Sequence, residues 1–168
     1  MNYHNITHDD MLNGDGIRVV LWVAGCNHAC PGCQNPETWN PDGGIPFDTA
    51  AFNELDKELD KNYVSGITFS GGDPLYPHNR FDVFAIAKRL KMKHPTKTIW
   101  LYTGYTWEQI KYSPTMLPVV KLVDVLVDGR FVQELADTSY KWAGSTNQKI
   151  IDVQKTLEKG EVILYESH

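Results

Sequence analysis

All three cysteines of the chain, Cys26, Cys30 and Cys33, fall in one short stretch, GCNHACPGCQN, residues 25–35. Thiolates are soft metal ligands, and three of them are one short of the four that a structural zinc ion or a saturated iron–sulfur cluster takes from protein. A triad from a single loop can hold three corners of a cubic 4Fe–4S cluster, leaving the fourth iron open to another ligand. Two other chemistries use the same residues. Zinc could recruit one of the six histidines (His4, His8, His28, His78, His94, His168) as a fourth ligand, and His28 lies inside the loop. The segment CPGC, residues 30–33, could act as a redox pair, but such a pair should open a helix, and Cys26 would then have no role. As a disulfide framework the set is poor, because one thiol is always left over, and a reducing compartment fits it better.

These residues need elements to hold them. IRVVLWVAG (17–25) is β-branched and almost continuously apolar, the pattern of a strand buried on both faces, and it delivers its final glycine directly to Cys26. GITFSGG (66–72), KTIWLYTG (97–104) and KLVDVLVDG (121–129) read as further strands, and EVILYES (161–167) as a terminal one. Between them, DTAAFNELDKELDKN (48–62) starts with a capping Asp and sets Phe52, Leu55 and Leu59 on one helical face. NRFDVFAIAKRLKMKHP (79–95) does the same with Val83, Ile86, Ala87 and Leu90, ending before Pro95, and TWEQIKY (106–112) predicts a short helix. Alternating strands and helices imply parallel βαβ units in an α/β fold. Gly25-Cys26, Ser70-Gly71-Gly72-Asp73, Thr103-Gly104 and Asp128-Gly129 then all sit at carboxyl ends of strands, where α/β proteins place their chemistry. A complete eight-fold barrel takes about 250 residues. This chain has 168 and can build only part of one, as a single domain over residues 1–168.

Composition removes other classes. A formal charge of −5, with 16 scattered basic residues against 21 acidic ones, does not suit binding to phosphate backbones, and no nucleic-acid partner is expected. No basic stretch followed by an apolar run opens the chain, and no window approaches the ~18 apolar residues of a membrane span. A cytoplasmic location is expected.

The order CxxxCxxC after a strand and a glycine, then SGGDP (70–74) at the end of the next strand, resembles the signature of the radical S-adenosylmethionine (SAM) superfamily. NGDGIRVVLWVAGCNHACPGCQNPETW (13–39), SGGDPL (70–75), WLYTGYTWE (100–108), VLVDGRFV (125–132) and WAGSTNQKIID (142–152) are similar to glycyl-radical-enzyme activases, in the form that serves anaerobic (class III) ribonucleoside-triphosphate reductase. The likeness spans residues 2–152. It implies an open partial (βα) TIM-like barrel, in which Cys26, Cys30 and Cys33 ligate one 4Fe–4S cluster per chain and the open iron binds the methionine part of SAM.

The resemblance also implies roles for other residues. Gly71, Gly72 and Asp73 would bring backbone close to the cofactor, since a Cβ on either glycine would intrude. Gly32 and Gln34, flanking Cys33, would offer backbone groups to the adenine. Asp128 and Arg130 stand where longer activases carry an Asp-x-Lys pair that contacts SAM, and Arg130 can pair with its carboxylate. Tyr102 replaces an acid of those enzymes and is assigned no ribose contact. An electron from a flavodoxin-like donor would split SAM into methionine and a 5′-deoxyadenosyl radical, which takes hydrogen from a glycine of the reductase. No acid or base residue is required, because the cofactors carry the chemistry. A partial barrel leaves a lateral opening for the reductase's glycine loop. Arg18 is read as structural or partner-facing, His28 as a loop hydrogen-bonder, and Asn147 and Gln148 as facing substrate or capping a turn. The rival readings are an activase of the pyruvate formate-lyase type, a small-molecule radical SAM enzyme, and a zinc or thiol redox module.

Overall fold

The long apolar runs become strands because both faces of one sheet are covered. In the structure, a computed structural model that describes residues 1–166, the strands are β1 (Asn2–Asp10), β2 (Ile17–Val23), β3 (Ile45–Pro46), β4 (Val64–Gly71), β5 (Thr98–Tyr102), β6 (Val125–Asp128) and β7 (Lys149–Asp152). Their order across the sheet is β3-β1-β2-β4-β5-β6-β7. Strands β2, β4, β5 and β6 run parallel as neighbours, while β1, β3 and β7 pair antiparallel at the flanks. The sheet ends at β3 on one side and β7 on the other, so the architecture is an open, mixed α/β sheet.

Helices α1 (Thr49–Leu59) and α2 (Arg80–Lys93) follow β3 and β4, the short α3 (Trp107–Lys111) and α4 (Leu117–Val120) join β5 to β6, and α5 (Val153–Lys159) follows β7. Asp48 caps α1 by accepting from the Ala51 N–H at 2.9 Å, and Thr106 with Gln109 forms a reciprocal capping box on α3. Phe52, Leu55 and Leu59 of α1, and Val83, Ile86, Ala87 and Leu90 of α2, are buried as their spacing predicts. They pack on one sheet face with Val19, Leu21, Ile67, Phe69 and Leu101. The alternate residues of the parallel strands, among them Trp100, Val125 and Val127, face the other way and are covered by Trp142 and Tyr165.

Several expectations change at the sheet's flanks. β1 was not legible because only Ile6 of its residues is buried, so its pairing with β2 is decided across the sheet rather than by its own pattern. The strand expected over 121–129 is confined to Val125–Asp128, since α4 and a turn occupy the residues before it. The terminal strand expected over 161–167 is replaced by an isolated bridge between Ile151 and Leu164, following α5. Gly160 closes α5 in a left-handed conformation that prevents an earlier extended run. Ser167, at the end of that expected strand, and His168, among the histidines weighed for zinc, lie outside the described residues. Among the described residues no helix is long and apolar enough to cross a membrane.

Candidate functional site

Four strand ends meet at one edge of the sheet. Beyond β2, Gly25 turns the chain at φ +107°, and its backbone is held on both sides. Its N–H donates to the Thr38 carbonyl at 2.7 Å, and its own carbonyl accepts from the Asp73 N–H at 2.7 Å. Cys26 N–H donates to the Trp39 carbonyl at 3.0 Å. The cysteine loop therefore has a fixed root and a fixed return, the latter made by a 3-10 turn at Pro36–Thr38. Between them the Cys33 N–H closes a turn onto the Cys30 carbonyl at 3.1 Å, and Ala29 is held at φ +51°, a region an L-residue rarely adopts.

The three cysteines are free and only partly exposed. Burial pushes the Cys26 thiol up to about 11, with a smaller upward push from Asp73 and the other two cysteines against a lowering hydrogen bond from the His28 backbone. Without a cation this sulfur stays a thiol at neutral pH; a bound metal supplies the charge that deprotonates it. Cys33 differs. Its sulfur accepts from the Asn35 N–H and from the indole Nε1–H of Trp39, each at 3.4 Å. Two N–H donors thus point at one sulfur.

Beside the loop, Asp73 ties three strand ends together. One carboxylate oxygen accepts from the Leu75 N–H and the Thr103 hydroxyl, each at 2.8 Å. The other faces His28 Nε2 at 2.7 Å and accepts from the Gly104 N–H at 3.0 Å. His28 lies edge-on to Tyr105 with ring centroids 4.7 Å apart, and a Cβ on residue 104 would come within 2.5 Å of the imidazole, so only glycine fits beneath it. His28 is thus the loop hydrogen-bonder expected of it, although among the described residues its buried Nδ1 has no hydrogen-bond partner. Among the described residues, the ligand atoms that converge within 4.8 Å of one another belong to Cys26, His28 and Asp73 rather than to the three cysteines. That spacing would suit a single ion, but the Asp73 oxygens are already taken by backbone and hydroxyl donors.

The glycines of SGGDP lie against the root of the cysteine loop. A Cβ on Gly72 would meet the Gly25 carbonyl oxygen at 2.6 Å and that of Thr38 at 2.8 Å; one on Gly71, which sits at φ +103°, would meet the Val23 backbone at 2.6 Å. A side chain on either residue would collide with backbone at or beside the root of the cysteine loop. Gly32 (φ +74°) lies under the Gln133 side chain, and the amide of Gln34 reaches toward Gly144, so the 131–145 segment covers the loop where adenine contacts were expected.

Asp128 and Arg130 are separated in role. Asp128 is buried, and its two oxygens accept from the Trp107 N–H at 2.8 Å and the Lys149 N–H at 3.1 Å, joining α3 and β7 to β6. Burial raises its pKa, against those backbone hydrogen bonds. Arg130 is exposed, and both residues line a cleft of about 480 Å³ with Gly104 and Asn147. Asn147 and Gln148 act on the backbone, Asn147 Nδ2 donating to the Arg130 carbonyl at 2.9 Å and Gln148 Oε1 accepting from the Gly144 and Ser145 N–H groups at 3.0 Å. Tyr102 packs against the apolar cluster around Trp100, and burial raises its hydroxyl pKa.

Arg18 is fully buried and structural, donating to the Thr68 hydroxyl and to the Asp15, Ile67 and Thr98 carbonyls at 2.8–2.9 Å; the desolvation lowers its pKa to about 10. Trp39 was not singled out in the sequence, and Thr103 only as the end of a strand. Their signal was position alone: one closes the turn after the triad, and the other follows the end of β5.

A free triad rooted by a glycine at the carboxyl edge of a parallel strand is the kind of site that defines a cluster-binding protein, and residues 12–151 match the family described as a 4Fe-4S single cluster domain. The chain is 42% identical over 152 residues to the anaerobic ribonucleoside-triphosphate reductase-activating protein of Escherichia coli (strain K12), covering 89% of this chain and 97% of that one. It is 45% identical over 150 residues to the protein of that name from Enterobacteria phage T4, covering 89% and 93%, and 40% over 152 residues to that of Vibrio cholerae serotype O1, covering 89% and 97%. The chain belongs to the family of anaerobic ribonucleoside-triphosphate reductase-activating proteins.

Proposed function

We propose that this chain activates an anaerobic ribonucleoside-triphosphate reductase as a radical SAM oxidoreductase, with Cys26, Cys30 and Cys33 holding one 4Fe–4S cluster. The observation that carries the reading is the Cys33 sulfur, which accepts two N–H donors at 3.4 Å on a loop whose three cysteines are all free. The residues fit the group. Hydrogen bonds of this kind stabilise the charge a metal-bound thiolate carries, and within the loop the buried His28 Nδ1 has no hydrogen-bond partner among the described residues. Held by Cys26, Cys30 and Cys33 and reduced by one electron, the cluster would supply the electron that cleaves SAM reductively, so that a hydrogen atom could be taken from a glycine of the reductase.

The chain's own residues position and exclude. Gly71, Gly72 and Asp73 hold the root of the loop by backbone contact, and the SAM contacts proposed for them use main-chain groups, since the Asp73 carboxylate is occupied. Gly32 and Gln34 remain the proposed adenine contacts, beside Gln133 and Gly144. Arg130, whose guanidinium is exposed at the cleft, is the group able to meet the SAM carboxylate, and Asp128 holds the backbone behind it. We read the four parallel strands as the open partial (βα) TIM-like barrel of one radical SAM domain, working in the cytoplasm with a flavodoxin-like donor. Its unclosed sheet leaves a side for the reductase's glycine loop, and the docked reductase would exclude water.

The test is anaerobic. Reconstituted protein should carry about four irons per chain, and with SAM, reductant and reductase it should produce a glycyl signal by electron paramagnetic resonance (EPR). Cys33→Ser should lose the iron and the signal together. A colourless protein that binds one zinc and cleaves no SAM refutes the reading.

A further inference from the structure

We propose that Trp39 sets the reduction potential of the cluster through its indole N–H. This rests on the reading that Cys33 is a cluster ligand. The 3-10 turn at Pro36–Thr38 brings residues 38 and 39 back alongside the root of the loop, where their carbonyls accept from Gly25 and Cys26 at 2.7 and 3.0 Å. With its backbone anchored to Cys26, Trp39 extends its side chain to a different ligand and places Nε1 at 3.4 Å from the Cys33 sulfur. One residue thus joins two corners of the triad.

An indole N–H is a donor only, with no acceptor function to serve here. On reduction the cluster takes one electron from an external one-electron donor, such as a flavin hydroquinone or dithionite, which is oxidised. The cluster and its thiolates gain one unit of negative charge, and no protein bond breaks. A hydrogen bond aimed at the sulfur stabilises the more negative state more strongly, so it raises the potential. The second donor, Asn35 N–H, is main chain and keeps its place when the indole is changed.

Trp39→Phe retains an aromatic ring and removes the N–H. In an anaerobic potentiometric titration of the reconstituted protein, read by EPR of the reduced cluster, Trp39→Phe should keep the iron content of the wild type. Its ratio of reduced to oxidised cluster at a fixed potential should fall about tenfold, equivalent to about 59 mV for a one-electron couple. The Fe–S(Cys) stretching bands should shift with it. Trp22→Phe is the control: the Trp22 indole donates at 2.9 Å to the Thr7 hydroxyl and not to sulfur, so its potential should stay at the wild-type value. Should Trp39→Phe fail to hold iron, replacement of Trp39 by benzothienylalanine, which keeps the bicyclic shape without an N–H, decides in its place. Fully loaded protein lacking the N–H yet titrating at the wild-type potential overturns the inference, as does an equal shift in Trp22→Phe. A wild-type chain that holds no cluster refutes the functional reading instead.

Discussion

Residue 72 shows how one side chain, or its absence, decides whether the loop can exist. With the Gly25 and Thr38 carbonyls 2.6 and 2.8 Å from where a Cβ would stand, even alanine forces backbone to move. Gly72→Ala should therefore cost roughly 2–3 kcal/mol in urea unfolding and lower iron loading in the same preparation. A variant with full stability and full iron but weakened SAM affinity would instead restore the expectation that the glycine makes room for a cofactor. The same scale shows what the Asp73 carboxylate does. Its position after two glycines pointed to the site, but which atoms its oxygens serve depends on Thr103 and Gly104, thirty residues away along the chain and adjacent in space. Trp39 was hidden for the same reason, since nothing local tells an indole which sulfur it will meet.

Between elements, α1 and α2 are joined at their exposed ends by Asp56, which accepts from Lys93 at 2.8 Å and meets His94 at 2.6 Å; Asp60 stands 3.6 Å from the other nitrogen of that imidazole. The Lys93 and His94 hydrogen bonds hold the Asp56 carboxyl below its ordinary range. Because the folded value is depressed, the stabilisation is present above the unfolded value, near 3.9, and is lost as pH falls through the lower folded one. Asp56→Asn should be less stable than wild type at about pH 6, and the gap should close below about pH 4. Urea titrations at both pH values check it; a gap constant with pH would show the carboxylate to be without effect. The helices themselves were legible because a 3.6-residue stripe and a capping Asp are local properties. Strands β1 and β7 were not, since a half-exposed strand takes its register from the edge it joins.

At the level of the whole molecule, the last described residues close the sheet face opposite α1 and α2. Tyr165 packs edge-on to Trp100 with centroids 5.2 Å apart, its N–H donates to the Ile150 carbonyl, and its hydroxyl donates to Asp15 at 2.8 Å. This joins the tail to the segment before β2, over the buried Arg18 guanidinium, itself 5.6 Å from the Trp100 ring. The tail read only as an added edge strand is in fact a clasp on the amino side of the sheet, remote in sequence from what it covers. Tyr165→Phe should cost about 1 kcal/mol and Tyr165→Ala about 2–4 kcal/mol in urea unfolding. Unchanged stability in Tyr165→Ala would show that the clasp contributes nothing.

From the amino-acid order alone came the cysteine triad, the strand that ends in its glycine, the α/β alternation and the two main helices, since each follows from spacing over a few residues. Tertiary structure alone decided that the SGGDP glycines yield to backbone, that Asp73 and Asp128 spend their charges on neighbouring N–H groups, that Arg18 is interior, and that Trp39 reaches the Cys33 sulfur. These are contacts between segments, or directions taken by side chains after a turn. No local periodicity encodes them, because they exist only once the sheet has brought its strand ends together.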